Sequence, residues 1–450
     1  MTIRLNPFNK SKNRIFLARE WPSVLIITVL GILGEMYGKL PLGVLAAFIV
    51  ITILRSDEAD AFCWSLVLIP NIRLLDDLGA EFIVNIMLAL PILVYLFRQG
   101  TKNLPLMALA GSIILFMMEI IHNAILDDLD GFVSIAGWTL NFCLCMLVTV
   151  DHRVKLSKND VFSALTTGVI LSAVVYLGSG QDTIKNIIDS MNHNVRLQAY
   201  AHDPNYYSLY ICLSIACVLN VKGYNIYKFV VLALLTGIGL LTASKMCMLL
   251  MAFEYVLIFL QIFNRNKENK SNRKFLLWGA AGILALGYMA RDYIVVIFDN
   301  FMRRAGLGAN QTLDLDRLTT GRLGIAAEYI QILGNNIACL LFGYGFNYYN
   351  HLNHSSANCS HNTYLDVLLT WGLVGVLVFG FIITLWLQHY RASRNITKIS
   401  VVRLIPLIVL LINFLDLSCL SAGMFPFVLT VAVIQWIPDY TEKEVIKNEI

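Results

Sequence analysis

Apolar runs of roughly 20 residues, separated by short polar breaks, recur from one end of the chain to the other. A bilayer core about 30 Å thick needs roughly 20 apolar residues per helix. The pattern places about fourteen spanning helices, near 21–38, 40–54, 61–75, 82–97, 104–122, 131–150, 160–178, 204–221, 227–242, 245–263, 275–298, 362–388, 404–419 and 421–437. The first pair and the pair at 227–263 are short enough to read as tight hairpins. Because the runs are continuous rather than alternating, a strand-built barrel is excluded. The expected fold class is an all-α polytopic membrane protein, a single integral membrane domain over 1–450.

Composition agrees. The chain is 57% hydrophobic and 14% charged, with mean hydropathy +0.67, against about 25% charged in a soluble globule. Nine cysteines lie mostly inside apolar runs (Cys143, Cys145, Cys212, Cys217, Cys247), where they serve as small hydrophobes. No CxxC spacing suggests a disulfide framework or a zinc ribbon. Arg4, Lys10, Lys12, Arg14 and Arg19 precede the first run. Glu35-Met36-Tyr37 stands where a signal peptide would need small residues, so an uncleaved first helix is expected.

Charge sets the expected orientation. With fourteen crossings, about 24 of the 34 Lys and Arg fall on one side, which the positive-inside rule makes cytoplasmic. Both termini are then cytoplasmic, and 438–450 is a charged cytoplasmic tail. The net charge of +4 reflects this sorting and implies no nucleic-acid partner. Two long loops lie on the far side, Gly178 to Asp203 and Asp299 to His361 (299–361). Loops of that length usually carry a function. The longer one holds Arg303, Arg304, Arg317 and Arg322 against the charge rule, which hints at an anionic ligand.

Candidate chemistry gathers in and beside these loops. Thr320-Gly321-Arg322 opens a helix-like segment with apolar residues at Leu323, Ala326, Ala327, Ile330 and Leu333 and with Glu328 and Gln331 on other faces. It reads as a helix lying on the membrane surface. Its N-terminus and the Arg322 fork suit a phosphate, while a snorkelling Arg is the plain alternative. His361-Asn362 sits where the loop re-enters the membrane. There a His accepts a proton at neutral pH, or Ser360 and Asn362 simply cap a helix. His351, His354, Cys359 and His361 lie close in sequence but match no zinc spacing. His202-Asp203-Pro204-Asn205 has an N-cap followed by Pro at the first helical position, sufficient as structure alone. Thr242-Ala243-Ser244-Lys245 forms a tight far-side turn whose Lys245 is either an interfacial anchor or a second cation. Asp314-Leu315-Asp316 has the DxD spacing of nucleotide-sugar transferases, but its donors are cytoplasmic and the loop is not, so it reads as solvated loop. So does the Asp127, Asp128 and Asp130 group. Glu35, Glu119 and Asp416, at membrane depth, are expected to pair inside the bundle.

Together these elements resemble the bacterial O-antigen polymerase and O-antigen ligase superfamily of membrane glycosyltransferases. The matching motifs run in order from Asp203-Pro204-Asn205-Tyr206 through Leu241-Thr242-Ala243-Ser244-Lys245 and Thr320-Gly321-Arg322. Leu341-Phe342-Gly343-Tyr344-Gly345 follows, then His361-Asn362-x-Tyr364-Leu365 and Trp371-Gly372-Leu373-Val374-Gly375. They cover roughly 200–380; the first half matches only as generic spanning helices. The resemblance implies a C-type fold that works on polyprenyl-pyrophosphate-linked glycans at the outer face of the inner membrane, with no cofactor and no metal. It makes His361 the catalytic His and Arg322 a catalytic and pyrophosphate-binding residue. Lys245, Arg303 and Arg304 join as pyrophosphate ligands, and Asp203, Asn205, Asn362 and Tyr364 as supporting residues. Lys245 stands where that family usually has Arg, keeping the charge but losing the bidentate fork. The polymerase branch is preferred. The ligase, which transfers glycan to the lipid A-core, is the nearest alternative, followed by a lipid-linked oligosaccharide flippase and a membrane scaffold. The expected partners are the lipid-linked glycans and membrane lipid, with a chain-length regulator protein left open.

Overall fold

The computed structural model describes residues 15–437 apart from 79–82, 101–105, 127–128, 182–183, 185, 188–195, 202, 222–225, 266–290, 292–294, 297–298, 300–301, 303–320, 347, 353–359 and 421–422. Among the described residues every regular element is a helix. In chain order these are α1 (Phe16–Tyr37), α2 (Lys39–Arg55), α3 (Glu58–Leu68), α4 (Ile83–Gln99), α5 (Leu106–Leu126), α6 (Leu129–Val150) and α7 (Lys158–Gly178). They continue with α8 (Pro204–Val218), α9 (Ile226–Leu241), α10 (Lys245–Arg265), α11 (Arg322–Asn335), α12 (Ile337–Phe342), α13 (Thr363–Ser393), α14 (Val401–Asn413) and α15 (Phe425–Ile434). The expected span at 275–298 lies outside the described residues except for isolated positions, as does the 438–450 tail.

Among the described residues three helices, α1, α7 and α13, are long and apolar enough to cross a membrane. α7 is the most enclosed of the three, and α1 turns Leu25, Val29 and Leu33 outward. Leu249, Phe253, Val256 and Phe259 of α10 and Leu377 and Phe381 of α13 are also exposed. Apolar surface of this extent belongs in lipid. The chain is a helical membrane protein.

Its lower end, where α7 begins, is tied by ion pairs. Arg19 of α1 bridges Asp60 of α3 and Asp160 of α7. Arg394 donates to the carbonyls of Val148, Thr149, Asp151 and Val154 below α6. In between, Trp138, Phe142, Trp371, Phe379 and Trp386 form an aromatic ladder joining α6 to α13.

Two expected helices stop early, each for a visible reason. The run at 61–75 is α-helical only to Leu68 and then tightens into a 3-10 turn over Ile69–Asn71, because Pro70 has no N–H to donate. The carbonyl of Val67 is taken by Asn71 Nδ2 (2.8 Å), and that of Pro70 by Ser172 of α7 (2.9 Å). Gly168 makes this crossing possible, since a Cβ there would lie 2.6 Å from the Val67 oxygen. The run at 404–419 ends at Asn413, and 414–420 becomes an irregular connector at the upper end.

α13 is kinked at Gly372, whose φ of 62° and ψ of −171° are not helical. α12 and the Gly343-Tyr344-Gly345 turn fill the kink. The amides of Tyr344 and Gly345 donate to the carbonyls of Leu369 (2.7 Å) and Thr370 (3.0 Å). A Cβ on Gly343 would overlap the Thr370 carbonyl, and one on Gly372 would overlap the Leu341 carbonyl. The two glycine motifs are therefore halves of one backbone contact. Glu119 of α5 seals it, accepting from the Phe346 amide and from Trp371 Nε1 (3.1 Å). Both Gly372→Ala and Gly343→Ala add this overlap to a left-handed backbone, at a cost of roughly 2–5 kcal/mol. Thermal unfolding in detergent should register each as a large loss, whereas Gly380→Ala, with open space around it, should be neutral or mildly stabilising.

Candidate functional site

The upper end of the bundle collects the end of α7, the segment 196–205, the α9–α10 turn, the start of α11, residues 360–364 and the 414–419 connector. α13 starts there with Asn362 as N-cap, its side chain accepting from the Leu365 amide (3.0 Å). The Thr363 amide donates to the Phe414 carbonyl (2.8 Å) and its hydroxyl to the Leu417 carbonyl, while the Cys419 amide donates back to that hydroxyl (3.0 Å). The Tyr364 hydroxyl reaches the Leu411 carbonyl (2.9 Å) and Asn362 Nδ2 the Leu415 carbonyl (3.4 Å). Asn362 thus fastens the start of α13 to the connector, and Tyr364 fastens it to the last turn of α14 (Val401–Asn413).

His361 sits on this clamp with φ of 51°, a left-handed conformation uncommon for a residue with a side chain. Its neighbours hold it there. The buried Ser360 hydroxyl donates to Asp366 Oδ1 (2.9 Å), the Ser360 amide donates to the Tyr348 hydroxyl (2.9 Å), and that hydroxyl donates to the same carboxylate oxygen. Burial is the main cause that holds the His361 imidazole below its ordinary 6.5; Arg322 adds to it, and Asp203 pulls the other way. Arg322 and Asp203, two more of the expected residues, are therefore each close enough for His361 to feel their charge.

Arg322 opens α11 behind Gly321, whose φ of 80° suits glycine. Its Nη1 donates to the Asp416 carbonyl (2.6 Å) and pairs with the Asp416 carboxylate. Asp416 thus pairs as expected, but its partner is the candidate phosphate ligand itself. α11 packs Tyr329 and Leu333 inward against Tyr348, Leu365 and Leu369. Leu323, Ala327 and Ile330 are exposed as a second apolar stripe. The single apolar face read from the sequence is thus divided: Leu333 packs inward while Leu323, Ala327 and Ile330 face out.

Asp203 caps α8 through the Asn205 amide (2.7 Å), with Pro204 in the first turn. The Asn205 side-chain oxygen accepts from Arg196 Nη2 (2.8 Å) and from the Ser244 hydroxyl (3.2 Å), and Arg196 Nε donates to the Thr242 carbonyl (2.8 Å). The turn carries Ala243 at φ of 48° and leads into α10 at the half-buried Lys245. Arg196 therefore joins the Asp203 and Lys245 motifs, and sequence reasoning missed it. Its one signal was its place as a cation on the shorter far-side loop. Asp366 and Tyr348 were missed as well, since a single Asp in an apolar run and a Tyr in a polar loop carry no pattern.

Arg303, Arg304, Arg317, His354, Cys359 and the Asp314–Asp316 pair lie outside the described residues. Among the described residues no group of three or more His, Cys, Asp or Glu is placed to hold a metal ion. In comparisons with known proteins, no family model matches the chain, and no curated protein matches it.

The electrostatics fix a pH response. Because the folded chain holds His361 below 6.5, the unfolded chain takes up that proton first as pH falls. The stability His361 contributes is complete above 6.5 and is lost as pH drops through its lower folded value. In protein labelled with 13C-histidine, its resonance should titrate below 6.5. It should fall further in Asp203→Asn, which removes the one opposing charge, and rise in Arg322→Gln. An upward move in Asp203→Asn would contradict the placement of that carboxylate beside the ring.

Proposed function

We propose that the chain is a polysaccharide polymerase of the bacterial inner membrane, joining polyprenyl-pyrophosphate-linked oligosaccharide repeat units at the outer face. In this reading it crosses the bilayer fourteen times with both termini cytoplasmic, and α11 and α12 lie in the outer leaflet surface with Leu323, Ile330 and Ile337 in lipid. One observation carries the proposal. A half-buried histidine that stays neutral at physiological pH shares one end of an apolar bundle with Arg322 and Asp203, beside the Arg196–Asn205 pair and Lys245.

The chemistry follows from those groups. A hydroxyl of one repeat unit attacks the anomeric carbon of another. The bond from that carbon to the diphosphate breaks, and its electron pair leaves on the diphosphate oxygen. The hydroxyl proton passes to the neutral His361 imidazole, the role that needs a base poised near the working pH. In this reading Arg322, Arg196 and Lys245 stabilise the negative charge as it grows on the leaving group. The apolar bundle below suits a polyprenyl tail.

His361→Ala should lower glycan elongation by roughly 100-fold or more with the amount of protein in the membrane unchanged, and Arg322→Ala by at least as much, with a lower thermal stability because it also strips Asp416 of its partner. The direct test is to delete the gene and run the cell's surface glycan on a gel. Core carrying a single repeat unit supports the polymerase. Bare core, with long polymer stranded on the lipid carrier, replaces it with the ligase. An unchanged ladder rejects transfer altogether.

A further inference from the structure

A second polar cluster lies at the same end of the bundle, where α1 and α7 finish. Glu35, two residues from the end of α1, accepts from Gln181 Nε2 (2.6 Å), just beyond α7. Tyr176 of α7 and Tyr200 meet edge to face with centroids 6.0 Å apart. The Tyr200 backbone is fixed on both sides, its amide donating to Ser172 (3.2 Å) and its carbonyl accepting from Arg73 (3.0 Å). Its side chain is different. Tyr200 is only 6% exposed, and its hydroxyl faces the Glu35 carboxylate and the Ser179 hydroxyl without closing a hydrogen bond to either. A buried hydroxyl left without a well-aligned partner is unfavourable. Such a group in so well-anchored a segment points to a ligand that completes it.

The chemistry of the cluster selects that ligand. Glu35 and the exposed Asp77 nearby make the rim acidic, and Asp76 pairs with Arg73 beside it. An acidic rim rejects phosphate. A carboxylate, an amide and a phenol offer acceptors and donors suited to adjacent hydroxyls, and the half-buried Tyr176 ring adds an apolar face. Sugar rings present both. Tyr200 is three residues from Asp203, a distance the backbone limits to about 11 Å. We propose that Glu35, Tyr176, Gln181 and Tyr200 form a saccharide subsite that holds a sugar of the lipid-linked glycan while the diphosphate sits among the cations near His361. The proposal rests on the transfer reading for the identity of its ligand.

The test reads binding without turnover. Repeat-unit oligosaccharide, released by mild acid from the host's own lipid-linked glycan, is titrated calorimetrically into the full-length protein in nanodiscs. Wild type should bind. Tyr200→Phe and Glu35→Gln should each weaken binding roughly five- to tenfold. Tyr200→Phe should meanwhile unfold no earlier than wild type, because it deletes an unsatisfied hydroxyl, and a merely structural tyrosine would not separate the two readouts. The exposed Gln181→Ala gives the same comparison at a position where folding is not at stake. Absence of wild-type binding, or unaltered binding in Tyr200→Phe, Glu35→Gln and Gln181→Ala, overturns the subsite even if His361→Ala has abolished elongation. An intact glycan ladder in His361→Ala counts against the transfer reading instead, so the two failures are told apart.

Discussion

Backbone that leaves a helix within lipid must find its hydrogen-bond partners inside the protein, and the upper end of this bundle is arranged around that requirement. α14 stops at Asn413, and the connector that follows would otherwise present free carbonyls. The side chains of Asn362, Thr363 and Arg322 take those of Leu415, Leu417 and Asp416, and Tyr364 takes that of Leu411 in the last turn of α14. On the opposite flank Arg196 takes the carbonyl of Thr242, where α9 ends. Much of the polarity concentrated here is thus needed for closure of the backbone before any ligand arrives. His361 stands apart: it occupies a left-handed position that its neighbours enforce, and the strain of about 1–3 kcal/mol is of the kind that gathers at functional sites.

Arg322 links closure to chemistry. Its guanidinium holds the connector through the Asp416 carbonyl and is balanced by the Asp416 carboxylate, both partners being only partly exposed. Leaving one member of such a pair without the other is destabilising. In the proposed reaction the carboxylate keeps the guanidinium aimed in the absence of donor, and a diphosphate arriving beside it carries more negative charge than the carboxylate. Arg322 adds to burial in lowering the basicity of His361, so in the proposed reaction one cation would serve the leaving group and help keep the base unprotonated.

The helices were legible because the run of apolar residues is itself the structural signal in a membrane protein. The runs at 131–150, 160–178 and 204–221 correspond to α6, α7 and α8 within a few residues. What stayed hidden is what depends on contact. Pro70 sat inside an apolar run, and nothing local showed that Ser172, more than 100 residues on, would accept the break. The Leu341–Gly345 and Trp371–Gly375 motifs were visible as strings of glycine and aromatic residues. That they are opposite sides of one backbone approach is a fact of packing. His361, Arg322 and Asp203 could be picked out as types, whereas Arg196 could not, because its meaning comes from Asn205 and Thr242.

The segment 196–205 ties these themes together. Pinned at Leu197 to Leu241, at Tyr200 to Arg73 and Ser172, and at Asp203 to the start of α8, it is a short ribbon with no freedom to slide. Arg196 at its start carries a cation, while Tyr200 in its middle faces the Glu35 carboxylate, so groups of both signs border a single stretch of backbone. A lipid-linked glycan has the same polarity, an anionic diphosphate joined to neutral sugars. In the proposed arrangement the ribbon sets the register between them. Substitutions at the ends of α1 and α7 would then change which sugar is accepted without touching His361, so specificity and chemistry can vary separately on one scaffold.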